Sequence, residues 1–267
     1  MVKKVLAKSY IYLILFLMYL PIFILIVFSF TASETIGVWN GFTFELYGDM
    51  FANEKLMTAL GNTILIAVIS AIVSTILGTL GAIGTFYSSR RYQKVVETMT
   101  QLPVVNAEIV MALSLAVLFV LLTGGKFTFF TLLVGHVVLT IAFVYLSVKP
   151  KLQQMDPNIY EAALDLGASP RLALFKVILP EILPGILSGF MLSLTLSLDD
   201  FIITQYLKEP SFETISTYVQ KILSKRPMPP EVRALTTFIF LLAVVIVIIN
   251  NIKSHNEEKK RVSLKGK

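Results

Sequence analysis

The feature that most constrains this chain is the length of its uncharged stretches. Tyr10–Phe30, Ala59–Tyr87 and Phe127–Val148 contain no Asp, Glu, Lys or Arg, and Ala234–Asn251 is equally free of them. A helix needs roughly 20 apolar residues to cross about 30 Å of hydrocarbon, so each run is long enough to be a membrane span. Two more runs qualify while carrying acid. Leu102–Leu122 includes Glu108, and the run from about Glu181 to Leu207 includes Asp199 and Asp200. The expected fold is all-α, with six transmembrane helices at about 10–30, 59–87, 102–122, 127–148, 181–207 and 234–251. Together they form one membrane domain over residues 1–267.

Composition agrees. Only 15% of the 267 residues are charged, 55% are hydrophobic, and mean hydropathy is +0.77. Soluble domains carry about 25% charged residues, so an ordinary soluble enzyme is excluded, and so is a disordered chain. There is no cysteine, which removes disulfides, thiolate metal sites, iron–sulfur clusters and a Cys nucleophile.

The net charge of +6 reads as topology. With six spans both termini share one side, and basic residues favour the cytoplasm. With cytoplasmic termini, the inside holds Lys3, Lys4, Lys8, Arg90, Arg91, Lys94, Lys149, Lys151, Arg171, Lys176 and six in the tail, which is 16 of the 23. The basic tail around Lys259, Lys260 and Arg261 therefore requires no nucleic-acid partner. The first run exceeds the 7–15 residues of a cleavable signal core and no A-x-A site follows it, so a retained signal anchor is expected.

The inner loop 149–180 has helix punctuation. Asp156-Pro157 and Ser169-Pro170 each read as an N-cap followed by an N1 proline, and Gly167 is placed to end the first helix. Two short helices, Pro157–Leu166 and Pro170–Leu179, are expected, with Pro180 breaking the chain before the fifth span. Within the loop, Glu161-Ala162-Ala163, then Gly167 after three intervening residues, and Val177-Ile178-Leu179-Pro180 after nine more resemble the EAA signature of ABC importer permeases, with Val177 in place of Ile. In that type I importer fold this loop is the coupling helix that docks on an ATPase subunit. The resemblance thus assigns coupling to Glu161, Ala162, Ala163 and Gly167.

The likeness narrows along the chain. Tyr19-Leu20-Pro21, Ser29-Phe30, Gly41-Phe42-Thr43, Leu196-Ser197-Leu198-Asp199-Asp200 and Pro230-Glu231-Val232 with Ala234-Leu235 are similar to permeases of spermidine/putrescine importers. Lys208-Glu209-Pro210 departs, standing where that family has Thr-Gly-Pro. The resemblance implies a bacterial cytoplasmic-membrane protein working with a second, non-identical permease, two ATPase subunits and an external polyamine-binding protein. No cofactor is expected in this chain. ATP and Mg would belong to the ATPases, since no G-x-x-x-x-G-K-[ST] loop is present and Gly124-Gly125-Lys126-Phe127 lacks the Ser or Thr.

Carboxylates in a span are costly and normally face a bundle interior or a pathway. Ser193, Ser197, Asp200 and Thr204 fall on one helical stripe, while Asp199 lies roughly 100° away, so an unbroken helix cannot aim both carboxylates at one point. Asp200 is expected to face the solute path with Asp199 flanking it, or the pair fixes helix packing. Glu108 is a secondary candidate, or it snorkels to a nearby cytoplasmic edge. His136 reads as a hydrogen-bonded packing residue without metal-ligand spacing, and Ser70, Ser74, Gly78 and Gly81 as a close-packing ridge. Trp39, Phe42, Phe44, Tyr47 and Phe51 suit an interfacial aromatic belt or a binding-protein contact. The alternatives in function are an ABC permease for another small solute and an autonomous secondary cation transporter. The chain carries no nucleophile elbow or metal motif of a membrane enzyme.

Overall fold

The structure is a computed structural model that describes residues 2–31, 33, 37–156, 158–224, 229–242, 244 and 245. Helices dominate, and among the described residues the extended pairing is a single antiparallel bridge, Thr31 to Phe42. Two compact units form: Met1–Met57 with Val219–Lys267, and Thr58–Tyr218.

In the first unit, α1 (Val2–Phe28) contributes the apolar stretch Lys8–Phe28, none of it buried within the protein. Its 21 residues rise about 31 Å, the thickness of the hydrocarbon layer. Beyond it, the Phe30 ring stacks on Phe42 at 5.4 Å and meets Phe44 and Tyr47, while Ser29 Oγ lies 2.9 Å from Tyr47 Oη. This cluster leads into α2 (Glu45–Ala52). Asn53 then caps the next helix, accepting from Leu56 N at 3.1 Å and donating to Glu231 at 3.3 Å. Arg233, fully buried on a helix over 230–242, donates to the Ser33 carbonyl. The expected last span, 234–251, lies mostly outside the described residues.

The second unit takes up α3 (Glu54–Phe86) from Thr58 onward, followed by α4 (Arg90–Val105), α5 (Glu108–Thr123) and α6 (Phe129–Gln154). The third expected span is therefore broken: α4 and α5 meet at 107°. Pro103 cannot donate in the last turn of α4, the β-branched Val104 and Val105 are poor helix formers, and Asn106 and Ala107 are extended. Glu108 restarts the helix with a negative charge in its first turn. Four helices are long and apolar enough to cross a membrane, or five if the bent pair counts as one span, so six spans are not reached among the described residues.

Helix α6 is the axis of this unit, and small residues let its neighbours close on it. A Cβ at Gly78 of α3 would come within 2.8 Å of Val144. Gly81, expected on the same ridge, faces open space. Glu97 of α4 pairs with Lys149 of α6 at 2.7 Å. At one end Leu132, Leu139, Met111 and Phe119 form an apolar cluster, and at the other Val144, Val148, Leu152, Ile178 and Ile182 form a second.

The inner loop expected over 149–180 holds α7 (Asn158–Asp165), one residue shorter at each end than expected, with Pro157 itself outside the described residues. Its N-terminus is capped by Asp156, whose carboxylate accepts from Asn158 N at 2.9 Å. Its C-terminus is a Schellman stop: Ala168 N donates to the Ala163 carbonyl, Gly167 N to that of Leu164, and Gly167 has φ 85°. Ser169 caps α8 (Pro170–Ala173) through Leu172 N at 3.3 Å. Pro180 does not break the chain as expected. A wide π turn over Leu174–Ile178 joins α8 to α9 (Leu179–Asp199), and the apolar helix runs on through Pro170–Asp199. The wider turn relieves the proline, which has no N–H to give and whose ring would press on the carbonyl four residues back.

Candidate functional site

Residue 200 is where the fifth expected span stops being one helix. Helix α9 ends at Asp199, Asp200 is extended (φ −64°, ψ 129°), and a short helix α10 (Ile202–Leu207) follows. The side chain that breaks the helix also restarts it. Asp200 Oδ1 accepts from Ile203 N at 3.0 Å, and Oδ2 accepts from Thr204 N at 2.8 Å and from Thr204 Oγ1 at 2.7 Å. A carboxylate is well suited to this place, because it satisfies free N–H groups and its charge complements the positive helix end.

Ser193, Ser197, Asp200 and Thr204 share one buried face, as their spacing indicated, but that face meets protein. His136 of α6, fully buried, lies opposite. Its Nδ1 is 2.7 Å from Ser197 Oγ, its Nε2 is 3.0 Å from Thr204 Oγ1, and Nε2 is 3.5 Å from Asp200 Oδ2. The layer extends to α3, where Ser70 Oγ lies 2.9 Å from Ser197 Oγ and Ser74 Oγ lies 2.7 Å from Thr140 Oγ1. Thr140 in turn donates to the His136 carbonyl at 2.8 Å. Ser193 Oγ is buried with no hydrogen-bond partner.

Asp199, one residue earlier, is exposed. Glu108 is exposed as well, and it lies within electrostatic reach of both Asp200 and Asp199. Glu108 therefore lies on the side of α5 that feels the α9–α10 break. Glu108 opens α5, which packs on α10 after the 107° bend from α4. Glu108 thus lies within electrostatic reach of two neighbouring carboxylates, of which Asp200 is held by protein donors and Asp199 is exposed. Among the described residues, no three or more His, Asp or Glu side chains are arranged to hold a metal ion.

At the other end, Glu161, Ala162 and Gly167 are exposed and Ala163 is half-buried, and α7 buries none of its residues. Tyr160 anchors the helix by packing on the Tyr87 ring at 5.5 Å. The sequence did not disclose His136 as the partner of the Asp200 cap. Ser70, His136 and Ser197 lie on three helices, so no local spacing could connect them.

Residues 74–262 match the family described as binding-protein-dependent transport system inner membrane component. The chain is 35% identical over 259 residues to the spermidine/putrescine transport system permease protein PotC of Escherichia coli K12, covering 97% of each chain. It is 31% identical to the putrescine transport system permease protein PotI of the same organism, covering 92% of this chain and 89% of the other. Its fold matches a chain of a bacterial ABC transporter involved in import of the acidic polysaccharide alginate, with a TM-score of 0.73 and 16% identity, covering 95% and 96% of the two chains. A second alginate transporter structure, in complex with a pentasaccharide-bound periplasmic protein, matches at a TM-score of 0.69, 20% identical, over 93% of this chain and 91% of the other. With the family model spanning most of the chain, and with apolar helices of spanning length, this protein belongs to the binding-protein-dependent transport system inner membrane component family, the multi-pass permeases of ABC importers.

Proposed function

We propose that this chain is one permease subunit of an ATP-driven polyamine importer, taking spermidine, putrescine or both. The observation that carries the reading is Glu108 within electrostatic reach of Asp199 and Asp200 at a break in a long apolar helix, in a chain 35% identical to a spermidine/putrescine permease. A polyamine is a flexible polycation. Two unit charges 4 Å apart attract by about 4 kcal/mol at the effective dielectric of a protein surface, enough to lower the barrier to a cation and weak enough to release it.

The chain forms a single permease domain of six spans with both termini in the cytoplasm. It pairs with a second permease to enclose the path. Solute comes from an extracytoplasmic binding protein, and ATP with Mg is hydrolysed on two partner ATPases. Glu161, Ala162, Ala163 and Gly167 form the docking element for an ATPase, supported by the exposure of Glu161, Ala162 and Gly167 on and just after a capped helix that buries none of its own residues. Asp199 and Glu108 offer the open carboxylates, while Ser193, Ser197, Asp200 and Thr204 form the wall behind them.

Reconstitution tests this. Proteoliposomes holding this chain with its partner permease, ATPases and binding protein are expected to take up radiolabelled spermidine or putrescine only with ATP. Cation flux through this chain alone, or full uptake by both Asp199→Asn and Asp200→Asn at equal abundance, would overturn it.

A further inference from the structure

The two adjacent carboxylates have opposite surroundings, and His136 is what separates them. Asp200 already takes three donors from its own α10, two of them on Oδ2. An ionised carboxylate has no proton to give, so at the 2.7 Å contact Thr204 Oγ1 must donate. That hydroxyl has one proton, and it is now committed. Toward the imidazole it can only accept, so Nε2 of His136, 3.0 Å away, must carry a hydrogen. The other ring nitrogen is held by Ser197 at 2.7 Å, and Ser197 is braced by Ser70 at 2.9 Å. Every atom in this relay is buried, on four segments of one unit.

We propose that His136 is a positioning residue for cation import. Protonated at Nε2, it fixes Thr204 so that Thr204 holds Asp200 in the α10 cap, and the capped Asp200 leaves Asp199 as the carboxylate of the pair that meets the solute. This rests on the polyamine reading and deepens it by dividing the roles of two neighbouring acids. It reverses the simplest expectation from the stripe, in which Asp200 faced the path. If His136 lets go, Thr204 is free to turn, the cap loosens, and the break that turns Asp199 outward is no longer fixed.

Two measurements on the assembled transporter test it. The chain has two histidines, His136 and His255, so 15N-histidine labelling of this chain alone, assembled with unlabelled partners and with a His255→Gln variant for assignment, isolates one ring. A His136 ring bearing a proton on Nε2 at neutral pH, with or without a second on Nδ1, is expected; a proton on Nδ1 alone would overturn the proposal. This needs no change at the site, so it holds even where a variant at 136 fails to assemble. The second measurement is spermidine uptake kinetics. Asp199→Asn is expected to raise KM at least about tenfold with Vmax changed less than about twofold. Asp200→Asn and His136→Leu are expected to lower Vmax instead, and their double variant should be no worse than the more damaged single one. His136→Gln, which keeps an N–H donor toward Thr204, should recover part of the loss. Multiplicative losses, or an Asp200→Asn effect confined to KM, would overturn the proposal alone. Full uptake by both Asp variants would overturn it together with the pathway reading.

Discussion

Asp200 accepts three hydrogen bonds from its own short helix, and this offsets much of what its burial costs. An ionised carboxylate inside a span costs at least about 2.5–3.5 kcal/mol on insertion scales, while each hydrogen bond to a charged group returns about 1.5–3 kcal/mol. Thr204→Val removes one of those bonds and leaves His136 Nε2 with only Asp200 Oδ2, 3.5 Å away, as a partner. It is expected to destabilise the protein by about 1–3 kcal/mol, read as a lower unfolding midpoint of the purified protein in detergent. Legibility at this scale was uneven. The residues of the stripe could be picked out by their 4, 3, 4 spacing, since helical periodicity is local. Their orientation could not, because it depends on a histidine that lies 64 positions away from Asp200 in sequence.

The elements show where local signals win and where they lose. Asp156, Gly167 and Ser169 behave as their types dictate, since capping is settled within a few residues. Pro180 does not stop its helix, because a π turn absorbs it, and no propensity argument anticipates that turn. Leu102–Leu122 is apolar enough for a span but is broken at Asn106, so a hydropathy window merged two helices lying 107° apart. Two contrasts test these elements. Gly78→Ala, whose Cβ would press on Val144 at 2.8 Å, is expected to cost about 1–3 kcal/mol. Gly81→Ala meets open space and should be neutral or mildly stabilising, since alanine is the better helix former; thermal midpoints of the two variants compare them directly. Gly167→Ala puts a Cβ in the left-handed region at about 1–2 kcal/mol, and is expected to uncouple solute-stimulated ATP hydrolysis from the membrane unit while the subunits still co-purify.

At the scale of the whole molecule, the charge asymmetry predicts the orientation. The absence of cysteine makes this easy to measure, because any thiol introduced is the only one present in the chain. A Cys replacing Glu161 is expected to react with a membrane-impermeant maleimide only in inside-out vesicles, and one replacing Lys126 only in right-side-out cells. The reverse pattern would invert the topology. The family was legible in the sequence because the coupling signature and the Ser-Leu-Asp-Asp block are contiguous. The approach of Glu108 to Asp199 and Asp200 was not, because it depends on how α5 packs on α10.

The helix that runs through Pro170–Asp199 has a mechanical meaning. Thirty residues form a rod of about 45 Å, so a tilt of 10° at one end would sweep the other through roughly 8 Å. The π turn over Leu174–Ile178 lies near the end of that rod that follows α7, and the Asp200 break lies at the opposite end. A displacement at the α8 end of this rod would therefore be carried to its far end, where Asp199 is exposed.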